Sequence, residues 1–114
     1  MPTPTLKAPK HLKAATRRWW LAVATDWDLE EHHLRLLTLA GESWDRCTQA
    51  REQIQVEGLT VATKAGGPRL HPCVRVEQES RIAFARLIRE LDLDVTPPAE
   101  GRRAPALRSI AGRG

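Results

Sequence analysis

Two long amphipathic segments separated by a short connector constrain the fold of this chain most. They cover about residues 28–57 and 72–93, and in both the apolar residues recur at spacings of three and four, the period of one helix face. A Gly-Gly-Pro turn at 66–68 interrupts this period. Pro72 then suits the first position of a helix, where its missing N–H is not needed. The sequence therefore predicts an antiparallel helical hairpin.

Local signals indicate where these elements begin and end. Asp28 is a residue type that caps a first helical turn, and Glu31 three residues later completes a capping pattern. Gly58 is expected to be a left-handed C-cap. The β-type residues after it, followed by the turn, predict a small extended excursion or hairpin over 59–70. The helix that begins at Pro72 is expected to end near residues 92–94.

Both helices have a defined apolar side. In the first, two stripes run side by side, so its apolar face is wide enough to contact its hairpin partner and another subunit. The first stripe comprises Leu34, Leu37, Gly41, Trp44, Thr48 and Arg51, and the second Leu36, Ala40, Cys47, Ala50 and Ile54. The inward stripe of the last helix comprises Val76, Ser80, Ala83, Phe84, Leu87, Ile88 and Leu91, with the pairs Glu77–Arg81 and Arg86–Glu90 outside it.

A shorter helix is predicted over 12–24. Its basic side comprises Lys10, Lys13 and Arg17, with Arg18 nearby, and its packing side comprises Leu12, Ala15, Trp19, Ala22 and Val23. Trp20 and Leu21 fall toward the basic side. Either a neighbouring subunit covers them or they are half-exposed.

The net charge of +4 is distributed unevenly. Residues 1–20 hold five basic residues and no acidic one, residues 97–114 carry +3, and the stretch between them carries −4. Because phosphate attraction depends on local charge, basic ends on a mildly acidic body favour a polyanionic partner such as nucleic acid. For the C-terminal end, a solvated tail is an equal alternative. The candidate DNA-binding residues are Lys7, Lys10, Lys13, Arg17 and Arg18, with Lys64 and Arg69 as secondary candidates.

The predicted core is small for a protein that folds alone. The chain has one Phe and no Tyr, and only residues 12–96 are expected to form a helical domain, between a flexible arm at 1–11 and a flexible basic tail at 97–114. Such a domain buries a small fraction of its surface, so we expect self-association to supply the rest. The candidate interface residues are Trp20, Leu36, Leu37 and Trp44. The tryptophans could instead stack on bases, but packing is the favoured interpretation.

No group of residues forms a recognisable catalytic or cofactor site, so we predict a protein that is not an enzyme and uses no cofactor. His32 and His33 are adjacent and point about 100° apart on a helix, which argues against a shared metal site. His71 is interpreted as a helix-start residue. Cys47 and Cys73 are expected to lie too far apart for a disulfide. Without a long apolar run or a signal-peptide pattern, a soluble intracellular protein with no membrane partner is expected.

Several motifs follow one another along the chain. They are a short arm ending in Trp, a capped helix with Leu34, Leu37 and Ala40, a helix end at Gly58, a Gly-rich connector, His71-Pro72, and a closing helix ending Ile88-x-x-Leu91-x-Leu93. This pattern resembles the small terminase subunit of tailed double-stranded DNA phages and prophages over about residues 14–97. The C-terminal end departs from it, because Asp92 stands where the family tends to have Gly, and Arg102 and Arg103 come late.

The resemblance implies an all-α protomer, with a short N-terminal helix and a helical hairpin, that assembles into a ring of about eight to ten copies. It implies that the protein binds double-stranded viral DNA and regulates the ATPase and nuclease of the large terminase subunit during genome packaging into the capsid. The expected location is the cytoplasm of an infected or lysogenic bacterial host.

Two other classes of protein fit part of the sequence. A small helical DNA-binding regulator would use residues 12–57 as a helix-turn-helix. However, the tight turn and the basic recognition helix of that motif are expected to be absent, since the helix predicted over 28–57 opens with Asp28, Glu30 and Glu31. An interaction adaptor would bind no DNA. Oligomer size distinguishes the regulator from the terminase subunit, and salt-dependent DNA binding distinguishes the adaptor.

Overall fold

The computed structural model describes residues 6–92, which form three helices and one two-stranded antiparallel sheet. The elements are α1 (Ala14–Asp26), α2 (Glu31–Glu57), β1 (Thr60–Ala62), β2 (Pro68–Leu70) and α3 (Pro72–Leu91). The mostly helical protomer and the small extended connector confirm the predicted architecture. The predicted tail at 97–114 and the first five residues of the predicted arm lie outside the described residues.

Helix α1 begins two residues later than the short helix predicted over 12–24, and it buries a different side. Its buried residues are Thr16, Trp20 and Ala24. Ala15 and Ala22, which the sequence predicts to pack, are exposed, whereas Trp19 and Val23 are half-buried. The packing face is therefore rotated relative to the face that the apolar pattern indicates.

Polar groups explain this rotation. Trp20 Nε1 donates a hydrogen bond to Thr38 Oγ1 at 3.2 Å, so the indole is buried with its polar atom satisfied. The hydroxyl of Thr16 donates to Asp45 Oδ1 at 2.5 Å. The apolar pattern predicts that Trp20 lies toward the basic side of the helix. This prediction is wrong, because Trp20 is only 4% exposed and packs in the core.

The start of α2 also differs from the prediction. Four residues, 27–30, connect α1 to α2, which is as short as the helix-turn-helix turn that was expected to be absent. The N-cap is Glu30 and not Asp28. The Glu30 carboxylate accepts from the backbone N–H of His33, and His33 Nδ1 accepts from the backbone N–H of Glu30 at 3.1 Å. This reciprocal pair fixes the helix start at Glu31, with histidine in the place usually taken by Glu or Gln.

The end of α2 confirms the predicted role of Gly58 in part. Its N–H donates to Ile54 O at 2.6 Å, and its φ of +88° is favourable only for glycine. Its ψ of 171°, however, is extended, so Gly58 is not in the left-handed helical conformation that was predicted. The extended ψ directs the chain straight into β1.

The connector forms a short exposed hairpin. Thr60 pairs with Leu70 and Ala62 with Pro68, and the backbone N–H of His71 extends the ladder to Leu59 O at 2.7 Å. The described part of the chain adds no third strand to this pair. A two-stranded sheet of this kind has little stability of its own, so the hairpin depends on the helices that flank it.

His71 is the N-cap of α3, as predicted for a helix-start residue. Its Nδ1 accepts from the backbone N–H of Cys73 at 3.0 Å, and its Nε2 lies 2.5 Å from Glu57 Oε1 at the end of α2. The hydrogen bond from His71 is the main cause that holds the pKa of the Glu57 carboxyl below its usual range, and the hydrogen bond from Gln53 adds to it. Pro72 occupies the first helical turn. The buried imidazole therefore connects the end of one helix to the start of the next.

The core cluster joins all three helices. It comprises Leu12, Trp20, Ala24, Leu37 and Leu91. Leu91 at the end of α3 packs in the same cluster as Leu37 near the start of α2, so α3 runs back along α2 as an antiparallel hairpin requires. Cys47 and Cys73 are free thiols, as predicted.

Gly41 marks the closest approach of the N-terminal segment to α2. A Cβ at this position would lie 3.1 Å from both Leu12 Cδ1 and Thr16 Cγ2. The absence of a side chain lets Leu12 pack directly on the α2 backbone, although Leu12 precedes α1. This contact occupies part of the wide face of α2 that was expected to be available to another subunit.

Glu77 is more buried than the sequence predicts. The sequence places it outside the packing stripe, but its side chain is only 17% exposed and faces α2. Its Oε2 accepts from Arg51 Nε at 3.0 Å, from Arg81 Nε at 3.3 Å and from Cys47 Sγ at 3.5 Å. Partial burial acts to raise the pKa of the Glu77 carboxyl, and these three hydrogen bonds outweigh it, so the pKa is lowered. Burial, reinforced by the bond to Glu77, raises the pKa of the Cys47 thiol.

Candidate nucleic-acid interface

The predicted basic side of α1 includes residues of the turn that precedes the helix as well as residues of the helix. Lys10 lies in a turn ahead of α1 and Lys13 is the N-cap, so only Arg17 and Arg18 are helical. Arg17 Nη1 donates to Lys10 O at 3.2 Å and to Leu12 O at 2.6 Å. The guanidinium thereby holds the turn beside the helix, and the predicted cluster of basic residues is present.

Acidic side chains of α2 contact this basic segment. His11 Nε2 lies 2.7 Å from Glu42 Oε2, and Lys13 Nζ lies 3.6 Å from Glu52 Oε1. Asp45 Oδ2 accepts from the backbone N–H of Lys13 at 2.8 Å. These contacts partly neutralise the segment, so its positive potential is weaker than the sequence indicates.

Within residues 6–92, three of the five primary candidates have exposed charges without an acidic partner: Lys7, Lys10 and Arg18.

The two connector residues are exposed but belong to a different part of the molecule. Lys64 lies in the hairpin turn and Arg69 in β2. The hairpin follows Gly58, whereas the backbone of Lys13 is bound at Asp45, roughly 20 Å from Gly58 along α2 at ~1.5 Å per residue. The Lys13 side chain reaches Glu52, which is roughly 9 Å from Gly58 on the same scale. Within residues 6–92, no contact joins the primary candidates to Lys64 or Arg69.

Three aromatic rings form a cleft between the helices. The ring centroids of Trp19 and Phe84 are 6.0 Å apart, and those of Trp44 and Phe84 are 5.1 Å apart. Together with Ala15 and Thr16, these rings line an open cleft of about 350 Å³. Trp44 remains 42% exposed. The cleft is an apolar surface on which a partner could pack.

The predicted interface residues have different environments. Trp20 and Leu37 lie in the core of the protomer, with exposed fractions of 4% and 0%. Their assignment to a surface is therefore corrected. Leu36 is half-buried beside the core and Trp44 is exposed, which leaves these two as the accessible members of the set.

The histidine pair at the start of α2 is closer than its sequence positions indicate. The ring centroids of His32 and His33 are 4.0 Å apart, and donor atoms of Glu30, His32 and His33 lie within 4.8 Å of one another. His33 Nδ1 is used in the helix cap, whereas its buried Nε2 has no hydrogen-bond partner within the described residues. Burial, and then the neighbouring His32, lowers the pKa of His33, so the ring is neutral at pH 7.

Comparison with known proteins identifies the family. Residues 13–106 match the family model described as "Phage terminase, small subunit", which is more than half of the chain. The chain belongs to this family. Neither the curated proteins nor the solved structures yield a match.

The region matched by the small-terminase family contains α1, the helical hairpin and most of the candidate residues. Lys13, Arg17 and Arg18 lie inside it, whereas Lys7 and Lys10 precede it. None of the helices in residues 6–92 is long and apolar enough to cross a membrane. Membership in this family confirms the resemblance that the motifs indicate and supports a role related to packaging.

Proposed function

We propose that this protein is a small terminase subunit that binds viral genomic DNA and regulates the large terminase subunit during genome packaging in the cytoplasm of a bacterial host. The observation that carries the proposal is the family match across all three helices. The protein itself would be non-catalytic. In support, His71 is bound to Glu57, and the Glu77 carboxylate is bound to Arg51, Arg81 and Cys47.

The proposal includes assembly into a cyclic homo-oligomer of about eight to ten copies through heterologous contacts. Support comes from the aromatic cleft and from the apolar side chains that the described part of the protomer leaves exposed. Trp44 is 42% exposed and Leu39 49% exposed, both on α2. Packing these residues on a neighbouring copy would supply burial that a domain of this size lacks.

The proposed mode of DNA binding is contact with the phosphate backbone. Lys7, Lys10 and Arg18 are exposed near one end of α1, and repetition of this cluster around a ring would form a positive belt. Binding of this type is weakly sequence-specific and weakens steeply with salt, because it releases condensed counterions.

The proposed partner for residues 97–114 is the large terminase subunit. This tail is basic, and a tethered segment can contact a motor protein while the helical body holds DNA. Removing residues 97–114 should weaken modulation of the large subunit's ATPase and nuclease without dissolving the oligomer. Full modulation by a truncated protein that still assembles would exclude the tail as the docking element.

Native mass spectrometry and salt-dependent DNA binding test the proposal together. A closed oligomer of about eight to ten copies that binds duplex DNA with a steep salt dependence is the expected result. A monomer or simple dimer at micromolar concentration would contradict the ring. The helix-turn-helix alternative predicts a dimer; its turn length is present, but the start of α2 carries Glu30 and Glu31 where base contacts would be made.

A further inference from the structure

The face of α3 that points away from α2 carries a stripe of arginine residues. At about 100° per residue, Arg75, Arg86 and Arg89 lie within roughly 60° of one another around the helix axis. All three are exposed, and Ile82, on the same face, is 41% exposed. The opposite face packs on the rest of the protomer and ends in the fully buried Leu91.

Like Lys7, Lys10 and Arg18, these arginines form no ion pair within residues 6–92. Arg51 and Arg81 are bound to Glu77, and Lys13 is paired with Glu52. Glu79 and Glu90 flank the stripe at the i+4 positions of Arg75 and Arg86, and neither forms an ion pair. Arg before Glu is the weaker order for an i,i+4 pair on a helix.

The geometry of the stripe fits a nucleic-acid backbone. At ~1.5 Å per residue, Arg75 lies roughly 17 Å along the axis from Arg86 and roughly 21 Å from Arg89. The major groove of B-DNA is about 12 Å wide, so long side chains at this spacing can reach phosphates on both sides of a groove. Each guanidinium also presents a fork of donors that matches phosphate oxygens.

We infer that the stripe Arg75–Arg86–Arg89 is a phosphate-contacting surface for duplex DNA. This inference rests on the proposed function, since it assigns DNA binding to a surface on α3 in addition to the N-terminal residues. Among the N-terminal residues, Lys13 is paired with Glu52, whereas the stripe arginines, like Lys7, Lys10 and Arg18, have no ion pair to break before they meet a phosphate.

Fluorescence anisotropy with a mixed-sequence duplex, measured from 50 to 200 mM salt on the full chain, tests the inference. The variant Arg75→Ala with Arg89→Ala should make the slope of log K against log salt shallower by about 1.8, because two phosphate contacts are lost. Over this salt range the wild type should lose affinity about tenfold more than the variant. Arg75→Lys with Arg89→Lys should retain most of the slope.

The matched control is Arg35→Ala with Arg46→Ala, which removes two exposed arginines of α2 and the same charge. An equal effect of both double variants would mean a general charge effect and would overturn the inference. An unchanged slope in the stripe variant, with normal binding by the wild type, would overturn the inference and leave the proposed function standing. A wild type that binds no DNA in a salt-dependent way would overturn both. Circular dichroism and native mass spectra confirm that each variant is folded and assembled.

Discussion

Replacing Trp20 by Ala should destabilise the protomer itself. The indole is 4% exposed and packs in the cluster that joins α1 to α2 and α3, and truncating a buried Trp costs about 3–5 kcal/mol. Thr38 keeps its hydrogen bond to Leu34 O at 3.0 Å, so loss of the indole donor leaves no buried group unsatisfied. Because a small domain is stable by only about 5–15 kcal/mol, this is a large fraction of the total.

Equilibrium urea unfolding, followed by circular dichroism, measures the effect. At a typical dependence of 1–3 kcal/mol per molar urea, the midpoint should fall by about 2 M. Trp20→Phe removes the hydrogen bond to Thr38 but keeps most of the apolar volume, so its cost should be only about 1–2 kcal/mol. Several protein concentrations are needed, because the apparent stability of an oligomer depends on concentration.

Trp44→Ala is the matched comparison. This indole is 42% exposed, so its removal should cost the protomer less than the removal of Trp20 and should instead weaken assembly. The opposite pattern would refute the core assignment. If Trp20→Ala unfolded at the wild-type midpoint and lost its assembly, Trp20 would be an interface residue.

Five further substitutions have expected outcomes. Gly58→Ala should cost about 1–2 kcal/mol because φ is +88°, whereas Gly67→Ala, which meets no atom within 4 Å, should be nearly neutral in the same urea unfolding assay. Gly41→Leu should cost about 1–3 kcal/mol by displacing the N-terminal segment, seen as faster hydrogen exchange there. The pKa of His33 is lowered, so its neutral form contributes stability above about pH 6.5 that is lost as the pH falls. His33→Gln should therefore flatten the pH dependence of the unfolding free energy below about pH 6.5. The pKa of Glu77 is also lowered, so its contribution is lost below about pH 4.5, and Glu77→Gln should flatten that acid limb; an unchanged pH profile in either variant would contradict its assignment.

Periodicity and end signals predict most of the fold. The long helices, the extended connector and Pro72 at the start of α3 all follow from local patterns. The errors occur where a polar side chain takes a capping or core position that the patterns assign to another residue type. His33 replaces Glu or Gln in the capping pair and moves the N-cap from Asp28 to Glu30. Thr16 is buried because its hydroxyl is hydrogen-bonded.

The candidate site is harder to predict from the sequence because its electrostatics depend on pairs of residues that are far apart along the chain. The sequence shows the basic residues before α1, but Lys13 meets Asp45 from 32 residues away and His11 meets Glu42 from 31 residues away. No local pattern indicates these contacts. The arginine stripe could have been found by applying the helical period to charged residues as well as to apolar ones.

The contact of Asp45 with the start of α1 has a consequence for the order of folding. The first turn of α1 has no acidic residue, and Lys13 provides no side-chain cap, so the helix cannot stabilise its own positive end. Asp45 supplies that negative charge from α2, and a helix of 13 residues is marginal in isolation. We therefore expect α1 to become helical only after α2 has formed, although α1 is synthesised before α2.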